Sequence, residues 1–219
     1  MSVRLVLLGP PGSGKGTQGK RLAEHFGIPH ISTGDLIRDQ IARGTVFGRK
    51  VEEGIAAGNF APDADILALV RERLLESDAL DGYVLDGFPR DLAQGKLFTD
   101  QLGSKAASLT VIELQVCPEA VIDRLAGRLV CPVCDAVYHS RYCPPKAQGV
   151  CDRDAAALHR RPDDEPDAVR HRLDVYETET LPLRKFYEDL GQLRSIAAEG
   201  DAVQVFSTIL STLAHDGVR

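Results

Sequence analysis

The residues with the clearest chemistry are Gly9-Pro10-Pro11-Gly12-Ser13-Gly14-Lys15-Gly16-Thr17. Glycines in such a run let backbone N–H groups converge on phosphate oxygens, and Lys15 supplies a mobile positive charge. A helix starting directly after the loop would add partial positive charge from its N-terminus. The G-x4-G-K spacing is met, with Gly16 in the usual Ser/Thr slot and the hydroxyl one residue later at Thr17. Gly12, Ser13, Gly14, Lys15, Gly16 and Thr17 are therefore the expected phosphate contacts. The loop alone implies a nucleotide and leaves the reaction open.

A second group lies at Cys131-Pro-Val-Cys134 and, after sixteen residues, Cys151-Asp-Arg-Asp154. Two short pairs at that separation match a structural zinc ribbon, in which two knuckle turns face each other. Three thiolates and one carboxylate suit zinc, and four protein ligands leave no open position for a substrate. Cys143, in Tyr-Cys-Pro-Pro, competes with Asp154 for the fourth place. A Cys131–Cys134 redox pair is the other chemistry open to these residues. Cys117, just before Pro118, reads as a buried apolar residue.

These groups need a frame. The chain has 219 residues, enough for one α/β domain with small insertions. Hydrophobic residues make up 43% and charged residues 26%, which opposes disorder. The net charge of −6 argues against a general nucleic-acid binder. The longest early apolar run, Val3 to Leu8, is too short for a membrane span and lacks the features of a signal peptide. Five cysteines are too few for a disulfide scaffold. A reducing cytoplasmic setting is thus the expectation.

Val3 to Leu8 reads as a buried strand feeding the loop, followed by a helix from about Gly14 to Phe26. A short strand is expected over Ile28 to Ile31, then helices from Ser32 or Thr33 to Ile41, Val46 to Ala57 and Pro62 to Glu76. Strands follow at Tyr83 to Leu85 and Leu109 to Val116, with a helix from Glu119 to Arg128. Residues 129–161 change character and read as an insertion. A long helix over Pro166 to Leu190, a strand near Val203 to Phe206 and a closing helix complete the expectation. Alternating strands and helices imply an α/β fold, a parallel sheet covered on both faces.

The loop sequence GPPGSGKGT, then STGDLIR at Ser32 to Arg38, then DGFPR at Asp86 to Arg90, together resemble the adenylate kinase family. Order, spacing and chain length all match. The resemblance implies a P-loop core with a five-stranded parallel sheet, formed by residues 1–31, 62–128 and 162–219. It implies a monophosphate-binding insertion over 32–61 and a lid over 129–161. The implied reaction is reversible, magnesium-dependent transfer, ATP plus AMP giving two ADP.

On that resemblance Arg38 and Arg90 hold the AMP phosphate, while Arg124 and Arg128 reach the ATP phosphates. The i, i+4 spacing would put the latter two on one helix face. Arg161 and Arg172 match the clamp on the transferring group. Guanidinium forks suit bidentate phosphate contacts. Asp86 matches the aspartate that acts on magnesium, although an aspartate before Gly87 also suits a turn. Thr33 and Gln94 match adenine-contacting positions, where relatives specific for pyrimidine monophosphates more often carry Ala and Asn. Gly58, Asn59 and Phe60 would line the same pocket, with Asn59 where many relatives have lysine, and Gly87 adjoins it. The resemblance also supports Asp154 as the fourth lid ligand and favours a monomer, while the charge and the short apolar runs oppose nucleic-acid and membrane partners. Alternatives are a kinase for another monophosphate or with GTP as donor, and a nucleotide-regulated zinc-ribbon binding module.

Overall fold

The computed structural model describes residues 2–57, 59 and 61–218. Gly58 and Phe60, two of the expected pocket residues, lie outside them. The first strand, β1 (Val3–Leu8), is buried at every position, as a continuous apolar run requires in a two-sided sheet. It leads through the glycine loop into α1 (Lys15–Phe26). Then come β2 (His30–Ser32), α2 (Thr33–Ala42), α3 (Val46–Ala56), α4 (Asp63–Leu74) and β3 (Gly82–Asp86). The chain continues through α5 (Leu92–Leu102), β4 (Leu109–Gln115) and α6 (Pro118–Ala126). A small antiparallel hairpin, β5 (Arg128–Val130) and β6 (Val137–His139), opens the cysteine-bearing insertion. The chain closes with α7 (Pro166–Val175), α8 (Pro182–Asp189), β7 (Leu193–Ala197) and α9 (Ala202–His215).

The main sheet has five parallel strands in the order β2-β3-β1-β4-β7, as expected. Its two faces carry separate cores. One packs Val6, Leu85 and Val111 against Ile37, Ile66, Phe98 and Leu183 from α2, α4, α5 and α8. The other packs Leu5, Leu7, Val84 and Ile112 against Leu22 of α1 and Ile209 and Leu213 of α9. Three loops leaving the C-terminal ends of β1, β3 and β4 therefore open on one edge, where ligands bind in open parallel sheets.

Four features depart from the sequence expectation. The segment Val203–Phe206 belongs to α9 and is not a strand. Asp201 caps that helix by accepting from the Val203 N–H at 2.7 Å, and Val205, Ile209 and Leu213 bury at four-residue spacing. The edge strand is instead β7, whose only fully buried residue is Ile196. The helix expected over Pro166–Leu190 is interrupted by a π-helical turn at Tyr176–Thr180 ahead of Pro182. The helix α5 had no counterpart in the expectation. Finally, α6 ends at Ala126, so Arg128 sits on β5 and shares no helix face with Arg124. Gly127 makes that break possible. A Cβ there would lie 2.3 Å from the His139 ring of the lid hairpin.

Candidate functional site

The glycine loop wraps the start of α1. Gly14 caps the helix at φ 100°, a conformation that side chains with a Cβ rarely adopt. Lys15 Nζ folds back onto the loop, donating to the carbonyls of Gly9 and Pro10 at 2.8 and 2.9 Å. Burial pushes its pKa down to about 8, and Arg172, Arg90 and Arg128 push the same way against Asp86. Gly12 and Ser13 lie in the same loop, and Gly16 and Thr17 open α1, with Thr17 exposed.

Three arginines act on this lysine, Arg172, Arg90 and Arg128, and Arg38 and Arg161 lie close to them. Arg90 follows β3 and donates from Nε to the Gly87 carbonyl at 2.7 Å. Burial, then the Arg172 charge, pulls its pKa to about 10. Arg161, just before the turn at Pro162–Asp164, is also pulled to about 10, by burial and then by Arg38 and Arg128. Arg172 of α7 is lowered by burial and held by Asp163 Oδ2 at 2.9 Å. Arg128 forks onto the fully buried Asp164 carboxylate through Nε at 2.7 Å and a second bond from Nη2. Arg38 pairs with Asp35 one turn away on α2. That pairing holds the Asp35 carboxyl below its usual range despite burial, which acts the other way. Arg124 behaves differently. It braces the backbone, donating to Ala198 O at 2.7 Å and Ser13 O at 3.4 Å.

The excess of mutually repelling cations implies an anionic ligand. Each guanidinium costs free energy to bury, and Arg128 and Arg172 each have a carboxylate behind them. Asp86, at the end of β3 and 8% exposed, turns one carboxylate oxygen toward Gly16, where a Cβ would lie 3.6 Å away. His30 Nε2 lies 3.6 Å behind the same oxygen. This neighbour was not anticipated from sequence, because nothing in local spacing links β2 to β3.

The base-contact candidates also converge. Thr33 donates to the Gly87 carbonyl at 2.7 Å. Gln94 on α5 accepts from the Arg90 N–H at 2.9 Å and donates to Asp63 at 2.6 Å. Asn59 Oδ1 is 2.7 Å from His171 Nε2 on α7. Thr180, at the end of the π-helical turn, donates to the Arg90 carbonyl at 2.6 Å. Neither Asp63 nor Thr180 carried a sequence signal.

In the insertion, Cys131, Cys134, Cys151 and Asp154 place their ligand atoms within 4.8 Å of one another. The two knuckles repeat the same backbone pattern. Cys131 N–H bonds to Ala136 O and Asp135 N–H to Cys131 O, while Cys151 N–H bonds to Ala156 O and Ala155 N–H to Cys151 O. Asp135 and Ala155, the residues after each pair, take matching left-handed φ of 52° and 60°. Asp154 thus occupies the place that Cys134 holds in the first knuckle. Val133 and Arg153 aim their N–H groups at Cys131 Sγ and Cys151 Sγ, at 3.4 and 3.5 Å. The Asp154 carboxylate pushes the Cys134 thiol up, and the same hydrogen bond holds Asp154 down. Such a donor set fits a tetrahedral cation. Cys143 is exposed on the other side of the hairpin and outside the cluster. Cys117 is exposed too, contrary to expectation. It sits at the start of α6, where its N–H meets Glu199 Oε1 at 3.1 Å.

The adenylate kinase family model matches residues 7–192. The chain belongs to the adenylate kinase family. It is 46% identical over 197 residues to an adenylate kinase of Anaeromyxobacter dehalogenans, covering 90% of this chain and 92% of that one. Identity is 44% to the adenylate kinase of Moorella thermoacetica, over 98% and 99% of the two chains. It is 41% to that of Carboxydothermus hydrogenoformans, over 96% and 99%. Family membership makes the chain a phosphotransferase, and family chemistry runs with magnesium and ATP. Among the described residues no helix is long and apolar enough to cross a membrane.

Proposed function

We propose that these residues transfer the terminal phosphoryl group of Mg-ATP to AMP, reversibly, yielding two ADP. The observation that carries this reading is the convergence of Lys15, Arg90, Arg128, Arg161 and Arg172 on one cleft beside Asp86. The acceptor is a phosphate oxygen, largely ionised at pH 7 because the second pKa of a phosphate monoester is about 6. No general base is needed. An AMP phosphate oxygen attacks the γ phosphorus of ATP, the bond to the β–γ bridging oxygen breaks, and ADP leaves with that electron pair. What the protein must supply is alignment and neutralisation of charge.

Lys15 and the loop N–H groups of Gly12 to Thr17 would hold the donor phosphates, with Arg128 above them. Arg38 and Arg90 would hold the acceptor phosphate, and Arg161 and Arg172 would bridge the transferring group. Asp86 would be the carboxylate that holds the magnesium accompanying ATP. Magnesium bound there would spread the charge of the phosphate oxygens. Arg124 would act through the loop backbone. Thr33 and Gln94 would read the acceptor base, with Asn59 latching the insertion to His171. Closure of both insertions excludes the water that would otherwise take the γ-phosphate.

The lid cluster would hold zinc through Cys131, Cys134, Cys151 and Asp154. Four protein ligands make that role structural. The expected setting is a cytoplasmic monomer. A product assay tests the reaction. Mg-ATP is mixed separately with AMP, CMP, UMP or GMP, and nucleotides are resolved by anion exchange. ADP formed with AMP alone supports the reading, transfer to a different acceptor refutes the base assignment, and no transfer by folded protein refutes the reaction.

A further inference from the structure

Gln94 is 1% exposed, and both ends of its amide are held by groups of fixed polarity. The Arg90 backbone N–H can only donate, and it donates to Gln94 Oε1 at 2.9 Å. The Asp63 carboxylate, when ionised, can only accept, and it accepts from Gln94 Nε2 at 2.6 Å. A glutamine amide has almost the same shape in either orientation, so its neighbours decide which end is which. Here a half-turn would set N–H against N–H at Arg90 and oxygen against oxygen at Asp63. One N–H and one oxygen lone pair are left over, in a fixed order.

Thr33, also 1% exposed, is polarised in the same way. Its one hydroxyl proton goes to the Gly87 carbonyl at 2.7 Å, so toward anything else Oγ1 can only accept. The Gly87 carbonyl also takes the Arg90 Nε proton at 2.7 Å. Thr33, Gly87, Arg90, Gln94 and Asp63 thus form one unbroken hydrogen-bonded chain. The chain ends at Asp63, on the first turn of α4.

We propose that Asp63 is a specificity-determining positioning residue, whose carboxylate locks the Gln94 amide so that the acceptor pocket takes a 6-aminopurine monophosphate and rejects a 6-oxopurine one. This rests on the reading that Thr33 and Gln94 face the acceptor base. A 6-aminopurine offers an amino donor beside a ring-nitrogen acceptor, and a 6-oxopurine reverses that order. A freely turning amide matches either edge. A locked amide matches one, and Thr33, able only to accept, favours the amino group as well. Sites built on fixed polar partners reject mismatched ligands strongly, because a mismatch strands buried groups.

IMP is the probe, because it reverses the edge without the second amino group of GMP. Values of kcat and KM are measured separately for AMP and IMP in wild type, D63A and D63N, with melting curves to establish folding. D63A is expected to lower the AMP-to-IMP ratio of kcat/KM by about tenfold, mainly through KM. D63N, whose carbonyl still accepts, is expected to hold the ratio within about threefold of wild type. An unchanged ratio in folded D63A overturns the proposal, since a merely structural role would weaken both acceptors equally. A ratio falling as far in D63N as in D63A overturns it too. If D63A does not fold, D63S, with a side chain one atom shorter, gives the same contrast. Failure of the wild type to phosphorylate AMP would instead overturn the underlying reading.

Discussion

The cleft and the lid cluster are both assemblies of groups that oppose one another, but of opposite sign. In the cleft, burial and neighbouring cations pull Lys15 to about 8 and Arg90 and Arg161 to about 10. In the lid, a carboxylate packed against three sulfurs pushes the Cys134 thiol up. The two differ in what is crowded together: buried cations in the cleft, three sulfurs and a carboxylate in the lid. The cleft cations come from separate elements of the chain, whereas the lid ligands come from two knuckles of matching backbone pattern.

Removing charge from the cleft should have the largest effect. Lys15→Met is expected to lower kcat by about a thousandfold, in line with loss of a charge that stabilises a transition state. Retention of more than a tenth of wild-type kcat would break the comparison. In the lid the effect should fall on stability. Cys134→Ser, or stripping with a chelator, should lower Tm by about 5–10 °C, the scale expected for losing a few kcal/mol in a chain of this size. At 25 °C kcat should change less than about threefold, because four ligands leave the metal no place in the reaction. Absence of zinc from protein purified without chelator would count against the lid assignment.

The Lys15 shift sharpens the picture through pH. Below about pH 8 the side chain is protonated and attracts phosphate; above it the charge is lost. In the free enzyme kcat/KM for ATP should therefore fall as pH rises through about 8. Bound phosphates should favour the charged form, so the matching limb in kcat should lie at higher pH. A flat kcat/KM profile up to pH 9 would contradict this. The smallest effect concerns Thr180. Thr180→Val removes the bond to the Arg90 carbonyl and should raise KM for AMP about three- to tenfold with kcat little changed.

Legibility in the sequence followed how local each signal was. The phosphate loop and the paired cysteines are encoded over a few residues, and the structure assembles them as their spacing implies. A parallel sheet was readable from alternating apolar runs, while its count of five strands came from the family resemblance. What escaped were features decided by distant partners. The edge strand β7 reads Leu-Arg-Ser-Ile-Ala and buries only Ile196 fully, so it lacks an apolar run. Val203–Phe206 reads Val-Gln-Val-Phe, with a strand-like alternation, yet the Asp201 cap and the four-residue spacing behind it make a helix. The helix α5 buries only Gln94, Gly95 and Phe98, too sparse a stripe to stand out. In the site, Asp63, Thr180 and His30 act across 31, 90 and 56 residues. No spacing rule reaches that far, and Arg128 left its expected helix because Gly127 ended it.

Side-by-side calorimetric melting of the wild type, Lys15→Met and Cys134→Ser, all without nucleotide, tests the contrast most directly. The cleft cation is held against its neighbours for the sake of a ligand, so Lys15→Met should melt no lower than the wild type. On the proposed role of the lid thiols as metal ligands, Cys134→Ser should melt clearly lower. The reverse pattern, with the lysine variant destabilised and the cysteine variant unchanged, would contradict the account of both sites.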